Sequence, residues 1–327
     1  MQGKVALEEH VAIEETASNF GTPFPDRVWQ ELKSRLTDVQ DRRLKEMDAH
    51  GIELMLLSLN APAIQAIPDP VKAEQTARKA NDFLAEHVRK RPDRFQAFAA
   101  LPMQDPARAA RELERCVKQL GFRGALVNGF SQVGDADTSV YYDQPQYRPF
   151  WALVERLDVP FYLHPRNPLP RDARIYEGHA WLLGPVWGFG QETAVHALRL
   201  MGSGLFDEHP RLQIVLGHLG ENLPYGLWRV DNANGWVPNR NPYAAKRPIR
   251  DYFRANFNLT TSGNFHTPSL VAAIAEIGAD RVMFSVDWPF ENVDHATNWF
   301  DACPIDENDR LKIGRTNALR LFKLGAK

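Results

Sequence analysis

Short apolar runs of strand length alternate with longer stretches of helical spacing along the whole chain. Eight runs read as strands, at positions 4–7, 53–59, 95–101, 124–128, 159–163, 213–217, 257–261 and 282–286. Most are nearly continuous in apolar residues rather than alternating, as strands buried on both faces of a parallel sheet must be. Helical spacing is read over 38–50, where Leu44 and Met47 share a face and Gly51 ends the pattern. It is read again over 70–89 and 105–121, both with proline at an early position, and over 268–277 and 307–324. Strand–helix alternation with short connections implies right-handed crossovers, and hence a doubly wound sheet or a closed barrel. Three stretches lack periodicity and read as long loops: 12–27, 167–190 and 231–250.

Polar residues at the strand ends favour the barrel. Glu8 and His10 follow the first run, His164 the fifth, His218 the sixth and Asp287 the eighth. An open sheet holds its first and last strands far apart, whereas a (β/α)8 TIM barrel brings every strand's C-terminal end to one face. The expected fold is therefore a TIM barrel with the three loops over that face, in one domain spanning 1–327.

Composition narrows the partners. A chain of 327 residues with net charge −2 offers no polybasic surface for nucleic acid or membrane. No run is long and apolar enough to span a bilayer, and no apolar leader opens the chain. Cys116 and Cys303 have no metal or redox spacing and read as free thiols of a cytoplasmic protein. A small-molecule partner is expected.

Glu8 and His10 lie two apart on one strand, so both face the same way. Alone, they read as a surface carboxylate and a capping histidine. His164 follows a largely apolar run and could be a core histidine bonded to backbone. A lone Asp287 at the end of an apolar strand is costly without a cation. One bound metal ion explains all four. Two carboxylates with two imidazoles and no thiolate make a mixed oxygen–nitrogen site, which favours Mn(II), with Zn(II) second. No glycine loop for a phosphate and no organic cofactor is expected.

The segments Val5-Ala6-Leu7-Glu8-Glu9-His10, Leu126-Val127-Asn128-Gly129, Tyr162-Leu163-His164-Pro165-Arg166, Leu216-Gly217-His218-Leu219-Gly220-Glu221 and Asp287-Trp288-Pro289-Phe290 carry a resemblance to the amidohydrolase superfamily. Within it, the chain resembles the decarboxylase branch, the aminocarboxymuconate semialdehyde decarboxylase-like enzymes that include decarboxylases of hydroxylated benzoates, over essentially its full length. Where many superfamily members carry His-x-His on the first strand, Glu8 stands here, and the fourth strand has no lysine to bridge two metals. The resemblance thus implies one metal ion, held by Glu8, His10, His164 and Asp287. It implies further that His218 and Glu221 form a hydrogen-bonded catalytic pair, and that Asp287 protonates the substrate ring. Asn128, Arg229, Phe189 and Phe290 are the implied substrate contacts, Arg229 acting from its own or a neighbouring subunit. Plainer roles stay open: Glu221 as a first-turn acid, Arg229 on an exposed helix face, and the two phenylalanines as packing.

The implied reaction is the reversible, non-oxidative decarboxylation of an ortho-hydroxybenzoate, foremost 2,6-dihydroxybenzoate (γ-resorcylate) to resorcinol. 2,3-Dihydroxybenzoate and 5-carboxyvanillate are related alternatives. A mononuclear metal-dependent lactone or amide hydrolase would use nearly the same residues, and the aromatic loop from Trp181 to Phe189 favours a planar apolar substrate over it. A homo-oligomer, dimer or tetramer, is also implied.

Overall fold

The structure is a computed structural model and describes residues 1–17, 25–236 and 243–325. Eight parallel strands follow in chain order: β1 Lys4–Val11, β2 Ile52–Leu59, β3 Phe95–Ala97, β4 Ala125–Asn128, β5 Phe161–His164, β6 Ile214–Leu216, β7 Phe257–Thr260 and β8 Val282–Met283. Two parallel sheets run β1–β2–β3 and β4–β5–β6–β7–β8. Two single bridges join them, Ala99 with Ala125 and Glu9 with Trp288. The eight strands thereby form one closed ring, a TIM barrel.

Alternation along the strands fills the ring. Leu7, Leu56, Phe98, Leu126, Tyr162, Val215 and Met283 pack in its interior, and Ala318 and Phe322 of the C-terminal segment join them. The opposite strand faces pack against the helices in the main core. β1 interrupts its own alternation. Ala6 pairs with Met55 but Glu9 pairs with Leu57, so one extra residue is inserted at Leu7–Glu8. This bulge reverses the phase, and Glu8 and His10 face inward like Val5 and Leu7 before them.

Several elements differ from the sequence reading for identifiable reasons. β8 stops after Met283 because side chains replace the ladder: the Ser285 N–H donates to Thr261 Oγ1 (3.0 Å) and the Val286 N–H to Glu9 Oε1 (3.0 Å). β3 is short because beyond Ala97 only Ala99 reaches β4. The helix expected from position 38 begins at Asp41, since the Asp38 carboxylate accepts the N–H groups of Asp41 (2.8 Å) and Arg42 (3.1 Å). A separate helix, Asp26–Thr37, precedes it. The closing helix is three pieces, broken by a wide turn at Lys312–Thr316 whose Ile313 carbonyl accepts the Phe284 N–H at 2.8 Å.

The expected loops are also partly helical. Glu14–Ala17 is one short turn, and 18–24 lie outside the described residues. Three 3-10 turns occupy much of 167–190, and the helix Gly188–Gly202 begins within it. The helix Leu223–Trp236 covers the start of 231–250, while 237–242 are outside the described residues. Among the described residues no helix is long and apolar enough to cross a membrane.

Candidate metal centre

One ligand atom from each of Glu8, His10, His164 and Asp287 lies within 4.8 Å of the others, at the C-terminal mouth of the barrel. His10 Nε2 is 3.1 Å from Asp287 Oδ1 and 3.9 Å from Glu8 Oε1, and His164 Nε2 is 3.1 Å from Glu8 Oε1. Glu8 and His10 are fully buried and His164 nearly so.

Three of these atoms, Glu8 Oε1, His10 Nε2 and Asp287 Oδ1, are buried without a hydrogen-bond partner. Their neighbours commit the remaining atoms. Tyr162 donates its hydroxyl proton to Glu8 Oε2 and sits 2.7 Å from Thr260 Oγ1. Ser58 Oγ lies 3.2 Å from His10 Nδ1, a contact that fits an Nδ1–H donor and leaves Nε2 a lone pair. Converging lone pairs and carboxylates in a buried site repel unless a proton or a cation sits among them. The donor set fits a divalent ion.

Electrostatics within the protein agree. Burial pushes Glu8 up, yet the imidazoles of His218 and His164 outweigh it and hold the carboxyl well below its ordinary range. Burial pulls His10 down, but Asp287 and Glu8 more than offset it and raise the imidazole to about 9.

The turn after β6 supplies the next pair. His218, Leu219 and Glu221 all take positive φ (53°, 58° and 54°), a conformation that costs roughly 1–3 kcal/mol per non-glycine residue. This tight turn brings His218 Nδ1 to 2.6 Å from Glu221 Oε1 and His218 Nε2 to 3.7 Å from both Glu8 Oε1 and Asp287 Oδ2. Burial lowers His218, but Glu221 and Glu8 prevail and raise its pKa well above the usual value. Burial likewise raises Asp287, but hydrogen bonds to His10 and His218 outweigh it and pull the carboxyl below its ordinary value. Gly217 lets this turn approach, since a Cβ there would sit 2.5 Å from Glu8 Oε2.

The remaining expected residues divide. Asn128, at the end of β4 and in register with His164, is buried, and its amide donates to the Asn60 carbonyl (3.2 Å), leaving Oδ1 without a partner. Phe290 lies edge-on to the His10 ring at 5.7 Å between centroids. Phe189 is half-buried beside Gly190, where a Cβ would lie 3.3 Å from Glu221 Oε2. Arg229 is exposed on the helix Leu223–Trp236 and makes no ion pair among the described residues, so the structure does not bring it to the cluster within this chain. Trp181 and Trp187 are exposed. Sequence reasoning missed Tyr162 and Ser58. Tyr162 was findable: it precedes His164 by two on the same strand and shares its inward face.

A closed α/β ring with a carboxylate–imidazole group at its C-terminal mouth defines a metal-dependent barrel protein. The amidohydrolase family model matches residues 31–324, and the chain belongs to that family. It is 68% identical to the gamma-resorcylate decarboxylase of Rhizobium sp. (strain MTP-10005), over 99% of both chains. It matches the crystal structure of a 2,6-dihydroxybenzoate decarboxylase complexed with 2,6-dihydroxybenzoate with a TM-score of 0.97 at 68% identity, covering 99% of this chain and 100% of that one. A dihydroxybenzoic acid decarboxylase from Polaromonas sp. JS666, with bound manganese and the inhibitor 2-nitroresorcinol, also matches with a TM-score of 0.97, at 66% identity over 100% of this chain and 98% of that one.

Proposed function

We propose that this protein is a metal-dependent carboxy-lyase that converts 2,6-dihydroxybenzoate to resorcinol and carbon dioxide, reversibly. The observation that carries this reading is the convergence of Glu8, His10, His164 and Asp287 with three orphaned donor atoms, in a chain 68% identical to gamma-resorcylate decarboxylases end to end.

Glu8, His10, His164 and Asp287 would hold one divalent ion, Mn(II) before Zn(II), and the manganese-bound relative supports that order. When bound, the ion would supply a positive centre for the anionic substrate and would favour the ionised phenol. Loss of carbon dioxide directly from the ring would leave an unstabilised aryl anion, so the ring carbon must take a proton first. His218, held protonated by Glu221 and Glu8, is the proton reservoir, and Asp287 Oδ2 is its neighbour at 3.7 Å. Asp287 receives that proton and delivers it to the carbon bearing the carboxylate. The new C–H bond draws on ring electrons that the ortho oxygen replenishes. The C–C bond then breaks, its electron pair restores the aromatic ring, and carbon dioxide departs. One proton is consumed per turnover, and His218 recovers it from solvent.

Asn128 Oδ1, buried and unpartnered, suits the second ortho hydroxyl as donor. Phe290, edge-on to His10, and the half-buried Phe189 are assigned to the aromatic ring of the substrate. Arg229 is assigned to the substrate carboxylate from a neighbouring subunit, because its own chain leaves it exposed. The exposed Tyr225, Trp228 and Trp236 on the same helix support a homo-oligomer. One barrel domain over 1–327 and a cytoplasmic location complete the proposal; the two free cysteines are consistent with a reducing compartment. Carbon dioxide release without water uptake, measured with 2,6-dihydroxybenzoate, separates this reaction from a lactone or amide hydrolysis.

A further inference from the structure

Asp287 stands on backbone that a side chain at another position holds in place. Its φ is +79°, in the left-handed region, and the β8 ladder has already ended at Met283. Glu9, fully buried on the face of β1 opposite to Glu8 and His10, spans the residues on either side of it. Glu9 Oε1 accepts the Val286 N–H (3.0 Å) and the Ser285 hydroxyl (3.1 Å), and Oε2 accepts the Trp288 N–H (3.3 Å). The same Ser285 oxygen accepts the N–H groups of Glu8 (2.7 Å) and Leu7 (3.3 Å), the two residues of the β1 bulge. The Trp288 carbonyl in turn accepts the His10 N–H at 2.7 Å. Arg43, also fully buried, covers this junction: its guanidinium lies 4.2 Å from the Trp288 ring centre and donates to the His10 carbonyl.

We infer that Glu9 is a positioning residue for the metal centre, locking the bulge that aims Glu8 to the loop that aims Asp287. This rests on the metal-dependent reading above. Glu9 touches no reacting atom. Its carboxylate closes the barrel between β1 and the segment after β8, where among the described residues a single bridge, Glu9 with Trp288, is the only strand pairing, and so fixes two ligands from opposite ends of the chain relative to each other. A carboxylate is required because three donors converge on it. A carboxamide keeps one acceptor oxygen and turns an N–H group toward the others.

The test is a Mn(II) titration followed by electron paramagnetic resonance on Glu9→Gln and Ser285→Ala, with thermal unfolding of the metal-free proteins in parallel. Glu9→Gln is expected to weaken Mn(II) binding about 10- to 100-fold, the range typical of lost ligand-orienting partners. At saturating Mn(II), its kcat for 2,6-dihydroxybenzoate should stay lowered while KM changes little. Ser285→Ala should shift both in the same direction by less, and it carries the test should Glu9→Gln fail to fold. Wild-type Mn(II) affinity and kcat in the folded variants, even with a lowered unfolding midpoint, would make Glu9 a structural residue only and overturn the inference. A wild-type protein that binds Mn(II) but does not decarboxylate would sink the proposed reaction alone, since the titration judges Glu9 independently.

Discussion

Tyr162 donates its hydroxyl proton to Glu8 Oε2, and this bond decides which carboxylate oxygen faces the other ligands. Both residues are fully buried in the barrel interior, one on β5 and one on β1. With Oε2 committed, Oε1 alone is left to meet His164 and His10. Tyr162→Phe should therefore cost about 1–3 kcal/mol of stability, because a buried acceptor loses its donor. It should also lower metal affinity, since Glu8 becomes free to turn. Denaturant unfolding and metal content by mass spectrometry check the two effects separately.

Gly217→Ala probes the same carboxylate from the other side. The added Cβ would meet Glu8 Oε2 at 2.5 Å, closer than real contacts allow, and the obstruction is the buried end of a ligand rather than a flexible surface chain. Purified protein should carry much less metal than wild type. Full metal occupancy with normal turnover would show that Glu8 has room to yield.

Much of this centre was legible in the sequence, for a definite reason. Glu8, His164, His218 and Asp287 each interrupt or close an apolar run, and a barrel topology carries such positions to one face. The eight strands were legible on the same grounds. What stayed hidden depends on contacts between distant segments. The bulge at Leu7–Glu8 leaves no mark in the hydrophobic pattern, and the role of Glu9 is invisible until β8 lies beside β1. The end of β8 at Met283 has the same origin, because an apolar run cannot reveal that Thr261 and Glu9 take its N–H groups. The helix Asp26–Thr37 was missed because its mostly polar, exposed sequence buries only Leu36.

Metal binding should depend on pH with a defined sign. Without a cation, the carboxylates hold His10 at about 9, so below that pH the ion must displace a proton. Apparent Mn(II) affinity should then rise with pH, by up to about tenfold per unit for one displaced proton, and level off above about 9. Titrations at pH 6, 7 and 8 check the slope. A flat profile would mean that His10 carries no proton to displace.

Substitutions at the His218–Glu221 pair should separate chemistry from metal binding. Neither residue belongs to the four-ligand group, and their contact is 2.6 Å. His218→Asn should retain metal and lower kcat about 10²- to 10⁴-fold, the usual contribution of a positioned proton donor. Glu221→Gln should lower it less and move the alkaline limb of the pH–rate profile to lower pH, because the protonated imidazole loses its main partner and gives up its proton earlier. Metal content by mass spectrometry and a pH–kcat series decide the matter.

The most direct measurement follows 2,6-dihydroxybenzoate by ultraviolet absorbance with Mn(II)-loaded, chelator-stripped and Mn(II)-restored protein, alongside Asp287→Asn. Carbon dioxide is trapped and the aromatic product identified in each case. The account predicts equal amounts of resorcinol and carbon dioxide from loaded and restored protein, and none from stripped protein or the variant. Turnover that survives chelation, or in Asp287→Asn, would contradict it, as would a metal-loaded protein that leaves 2,6-dihydroxybenzoate intact.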